Sequence, residues 1–148
     1  MFQRILIPTD GSTIARKAVN AGIAFAKETG ASVVAYHALE SIERLYLAKG
    51  PGSRPLTVKP LEKLMREQGE QYLAEIRKAA DAVGVECDTV MTSPATPFQG
   101  IIDTSRKKKC DVIFIASHGR DKLATLLLGS VTQKVLVHSR IPVLVYHG

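Results

Sequence analysis

Tryptophan is absent and aromatic residues make up only 5% of the chain, which leaves little to sandwich a flavin ring. There are two cysteines, Cys87 and Cys110, far apart and without CxxC spacing, so reduced structural thiols are expected rather than a disulfide or metal framework. The four histidines, His37, His118, His138 and His147, form no HxxH or HExxH pair, which argues against a built-in zinc site. Nowhere does an apolar run approach the ~20 residues of a membrane helix. The run at Ile5-Leu6-Ile7 is too short for a secretory leader and is broken at once by Pro8-Thr9-Asp10. A cytoplasmic location and no membrane partner are the expectation.

What is there reads as ordinary globular chain. Hydrophobic residues are 45% and charged residues 23% of 148 positions, enough for one fully cored domain over residues 1–148. The net charge of +6 invites a nucleic-acid reading, but the cations are scattered along the chain. The one dense run, Arg106-Lys107-Lys108-Lys109, falls at the end of a predicted helix, where cations complement the helix dipole. No aromatic residue is interleaved with it, and a nucleic-acid partner is not expected.

Strand and helix signals alternate. Gln3 to Pro8 reads as a strand buried on both faces, and helical spacing of Ala15, Ala18, Val19, Gly22, Phe25 and Ala26 follows, stopped at Gly30. Ala31 to Leu39 is a second strand. Ser41 to Pro60 is irregular around Gly50-Pro51-Gly52, with a short helix expected over Ile42 to Leu47. Leu61 to Val83 is amphipathic and closes at Gly84; Val85 to Met91 alternates as a third strand. Pro97 opens a third helix with Phe98, Ile101 and Ile102 inward. Asp111 to Ala116 is the most apolar strand, Leu126 to Leu136 marks a last helix, and Ile141 to Tyr146 is a final strand.

This pattern predicts an α/β fold: a five-stranded, doubly wound parallel sheet with helices on both faces. The continuous apolar runs make the first and fourth strands central, which gives the order 3-2-1-4-5 and a switch point between them. The loops that meet there are Pro8-Thr9-Asp10-Gly11-Ser12 and Ser117-His118-Gly119-Arg120. Neither GxxxxGK[ST] nor GxSxG occurs, and no GxGxxG follows the first strand, which removes P-loop, hydrolase and Rossmann dehydrogenase readings. A receiver domain would want an acid after the third strand, where Thr92 and Ser93 stand. Gly119, with Gly129 and Ser130 opening a helix, suits close approach of a phosphate to backbone N–H groups, or equally a turn and an N-cap.

Ala116-Ser117-His118-Gly119-Arg120, then Leu126-Leu127-Leu128-Gly129-Ser130-Val131 and Ile141-Pro142-Val143-Leu144-Val145, resemble the C-terminal signature of universal stress proteins. Ile5 to Ser12 is similar to that family's opening, and the resemblance spans essentially the whole chain. It implies a nucleotide-binding fold, commonly a homodimer, in which members with G-x2-G-x9-G-[ST] tend to bind ATP. On that resemblance Gly119, Gly129 and Ser130 correspond to phosphate-binding positions, with Ser117 in the same loop and Val131 and Thr132 continuing the helix start. Pro8, Thr9 and Asp10 correspond to the loop near ribose and adenine, and Ala38 to the second-strand position beside the adenine. His118 and Arg120 are optional partners, facing either the phosphates or solvent. Ala116 replaces the first motif glycine: a positive φ there would cost alanine about 1–2 kcal/mol, a negative φ only the room for a methyl group.

The implied function is a stress-linked, ATP-binding regulatory or protective homodimer joined through Ile141 to Tyr146, with Mg²⁺ arriving on the nucleotide. Two alternatives stay open: a dimeric interaction protein of the same fold that binds no nucleotide, and a slow ATPase. No catalytic residue is expected, because no base for activating water is evident.

Overall fold

The computed structural model describes residues 1–42, 58–119 and 128–148. The expected short helix over Ile42 to Leu47 (all but Ile42), Arg120, Leu126 and Leu127 lie outside the described residues; the last helix, expected from Leu126, begins at Ser130 after Gly129 as its N-cap. The elements run β1 (Arg4–Pro8), α1 (Thr13–Thr29), β2 (Ser32–Ala38), α2 (Val58–Ala82), β3 (Cys87–Thr92), α3 (Pro97–Lys107), β4 (Val112–Ala116), α4 (Ser130–His138) and β5 (Val143–Tyr146). All strands pair in parallel in the order β3-β2-β1-β4-β5.

The apolar runs explain that order. Ile5, Leu6 and Ile7 of β1 and Val112 and Ile113 of β4 have no exposed surface at all, because helices cover both faces of the central strands. Alternation splits their side chains between two cores. Ile5, Ile7, Val33, Val112 and Phe114 pack against α1 and α2, through Ala18, Ile23, Leu73 and Ile76 among others. Leu6, Val34, Tyr36, Ile113 and Ile115 pack on the other side against Ile101 of α3 and Val135 of α4. Cys110 is buried in this second core, where desolvation pushes its thiol up to about 11 and leaves it inert near neutral pH.

Helix ends follow local chemistry. The Ser12 side chain accepts from the Ala15 N–H at the start of α1, and Gly30 ends it at φ 72°. Strand starts differ from expectation where a backbone group has another use. Val85 is buried, but its N–H bonds the Ala80 carbonyl and finishes α2, so β3 begins at Cys87. Asp111 likewise precedes β4, its carboxylate accepting from the N–H groups of Gln3 and Arg4 at 2.8 and 3.0 Å.

Candidate functional site

β1 and β4 pair at Ile5 with Val112 and at Leu6 with Ile113, and the loops that follow their carboxyl ends form one margin of a cleft of about 760 Å³. Pro8, Thr9 and Asp10 line it from the β1 loop, Ala38 from β2, and Ala116, His118 and Gly119 from β4. Gly129, Ser130, Val131 and Thr132 line it from the start of α4. Of the residues expected at the site, Ser117 is not in the lining and Arg120 lies outside the described residues.

Two glycines let the loops meet. A Cβ on Gly119 would overlap the Asp10 carboxylate oxygen Oδ2, so the β1 and β4 loops touch across the switch point. At Gly129 a Cβ would sit 2.9 Å from the His118 backbone Cα, closer than real Cβ atoms come.

Hydrogen bonds sort the candidates into scaffold and cleft surface. Ser117 is buried; its N–H donates to the Tyr146 carbonyl at 2.9 Å, and its carbonyl accepts from the Gly129 N–H at 2.8 Å. Gly129 therefore uses its own N–H to tie α4 to β4, and contact with an anion would fall to the next residues. The first-turn N–H groups of Ser130 and Val131 have no intrahelical acceptor and stand at the positive end of α4. The Thr132 hydroxyl, also buried, donates to the Ala116 carbonyl at 2.8 Å. Thr9 Oγ1 accepts from the Gly11 N–H at 3.1 Å and Asp10 Oδ1 from the Ser12 N–H at 2.9 Å, which folds the β1 loop on itself. His118 donates through Nδ1 to the Gly119 carbonyl at 3.1 Å.

Ala116 is not among the described non-glycine residues with positive φ. Its methyl group is buried in the core on the α1 side of the sheet. The alanine thus carries no left-handed strain, and the steric branch of the expectation applies.

The family model for the universal stress protein family matches residues 1–147. The chain belongs to the universal stress protein family. A curated relative, universal stress protein MJ0531 of Methanocaldococcus jannaschii, is 32% identical over 145 residues, covering 98% of this chain and 82% of the relative. The solved structure of MJ0577 from the same organism superposes with a TM-score of 0.81 at 28% identity, covering 98% and 95% of the two chains. A universal stress protein solved in complex with cAMP shares the fold, with a TM-score of 0.72 at 21% identity and 99% and 97% coverage.

In this universal stress protein the second margin of the cleft is one that the motifs do not announce. It comes from Tyr36 and His37 of β2, Met65, Gln68 and Tyr72 of α2, and Pro97 of α3. The available signal was faint: His37 directly precedes Ala38, and the apolar face of α2 includes Met65 and Tyr72. Among the described residues no group of three His, Cys, Asp or Glu side chains is placed to hold a metal ion, and no helix is long and apolar enough to cross a membrane.

Proposed function

We propose that this universal stress protein binds an adenine nucleotide, ATP, in the switch-point cleft and acts as a stress-linked regulatory or protective homodimer. The observation that carries the reading is the meeting of the β1 loop, the β4 loop and the α4 N-terminus around one cleft of about 760 Å³. That volume falls in the usual range of roughly 300–1,000 Å³ for small-molecule sites. The cleft offers apolar surface from Ala38, Ile101 and Ile115 for a base, and helix N–H groups with the Ser130 hydroxyl for phosphates. The cAMP complex of a protein of the same fold supports a nucleotide as the ligand class. Asp10 would face the ribose or a water on nucleotide-borne Mg²⁺, and Mg²⁺ would supply charge neutralisation of the phosphates. A cytoplasmic setting is part of the same proposal.

Calorimetry with ATP and GTP tests this reading, together with native mass spectrometry of the freshly purified protein. ATP is expected to bind and GTP to bind more weakly. No heat at millimolar ATP would transfer the chain to the interaction-only reading. Asp10 Oδ1 already accepts from the Ser12 N–H, and turnover is expected well below ~1 s⁻¹. Turnover at or above that rate, lost in Asp10→Ala, would make the protein an enzyme.

A further inference from the structure

The β1 loop has to be held against the sheet before it can present Asp10 to anything. Its internal hydrogen bonds shape the loop but do not attach it. Two attachments come from β2: the Thr9 N–H donates to the Tyr36 carbonyl at 2.8 Å, and the Thr9 carbonyl accepts from His37 Nδ1 at 2.8 Å. A carbonyl can only accept, so Nδ1 of His37 carries the proton. The peptide groups on both sides of Thr9 are thus gripped by neighbouring residues of one strand.

The surroundings of His37 hold its ring in place for this bond. Tyr72 of α2 meets it edge-on, with centroids 5.4 Å apart. Gly69, one turn earlier on the same helix, comes so close that a Cβ there would lie 2.7 Å from His37 Cδ2 and 2.8 Å from Met91 Sδ. Glycine inside a helix is destabilising, and here it leaves room for the imidazole. His37 and Tyr72 also line the cleft.

We infer that His37 is a positioning residue: through the Nδ1–H bond to the Thr9 carbonyl it fixes the Thr9-Asp10-Gly11 loop in the geometry that receives the ligand. The nucleotide part of the inference rests on the reading above; the loop part does not. Two substitutions separate the bond from the bulk. His37→Phe keeps a ring and removes the donor, whereas His37→Asn keeps an N–H donor at the same branch point and removes the ring. Amide hydrogen exchange at Asp10, Gly11 and Ser12, read by NMR without nucleotide, should quicken about tenfold in His37→Phe and stay near native in His37→Asn, as expected for one lost hydrogen bond. The ATP Kd should rise about tenfold in His37→Phe and largely recover in His37→Asn. If His37→Phe fails to fold, His37→Leu takes its place. Equal loss in the donor-keeping and donor-lacking variants would assign His37 to packing alone and overturn the inference, as would unchanged exchange in His37→Phe. A native chain that binds no ATP would overturn the nucleotide reading, while the exchange measurement would still decide the role of His37.

Discussion

At Gly129 the requirement is space rather than backbone freedom: φ is −60°, open to any residue, but the His118 backbone stands where a Cβ would go. Gly129→Val should force the β4 loop and α4 apart, lowering stability by about 1–3 kcal/mol in urea denaturation and abolishing ATP binding in calorimetry. Ala116 is the opposite case. Its φ is not positive and its methyl is buried, so Ala116→Gly should lower stability by about 1 kcal/mol and leave ATP affinity within about threefold of native. A tenfold gain in affinity would mean that the methyl group hinders the ligand after all. The two positions belong to one motif, yet only one of them needs its glycine for room.

At the scale of elements, the run Arg106-Lys107-Lys108-Lys109 serves the junction of α3 with the sheet. Arg106 pairs with Asp103 one turn back at 3.0 Å, and the Lys108 carbonyl accepts from the Arg4 guanidinium at 3.1 Å. Lys108 Nζ reaches Asp88 on β3 at 2.9 Å, and Arg77 of α2 approaches the same carboxylate at 4.0 Å. The hydrogen bond from Lys108 is the main cause that holds Asp88 below the ordinary carboxylate range, opposed in part by desolvation. A folded pKa lower than the unfolded one contributes stability above the unfolded value near 4, and that stability disappears as pH falls through the folded value. The carboxylate is half-exposed, so solvent screening keeps the contribution below about 1 kcal/mol. Asp88→Asn should therefore cost no more than about 1 kcal/mol at pH 7. The difference from native should close in urea melts at about pH 2, and it should also shrink in ~1 M salt. A deficit that persists undiminished in acid would contradict the ionic account.

For the whole molecule, the two edges of the sheet differ. β3 carries Asp88 with its two cations, a charged edge of the kind that resists pairing. β5 reads Val143-Leu144-Val145-Tyr146 without a charge, and Leu144 within it is 36% exposed. On α4, Leu136 and Val137 are 40% and 77% exposed. The proposed homodimer would cover β5 with its twin across a two-fold axis. Val143 and Val145 also pack on the second core, so Leu144→Lys with Val137→Lys probes the surface with less injury to the fold. Sedimentation should show a dimer for the native chain and a monomer for the double variant. An unchanged dimer would place the contact elsewhere.

The order of elements, the centrality of β1 and β4, and the end of the sheet where the cleft opens follow from the amino-acid sequence alone. Those are one-dimensional properties: two continuous apolar runs can be buried only under helices on both faces, and parallel crossovers bring their carboxyl ends together. Which partner each residue at that end takes depends on the packing of the whole chain. Ser117 and Tyr146, or Thr132 and Ala116, are joined by hydrogen bonds between segments that periodicity cannot align. The folded chain likewise occupies the Gly129 N–H internally, keeps Ala116 out of the left-handed region, and turns Met65, Gln68 and Tyr72 toward the cleft from α2. A hydrogen bond is set to within a few tenths of an ångström by the packing of the whole molecule, whereas a sequence pattern specifies only which face a side chain takes.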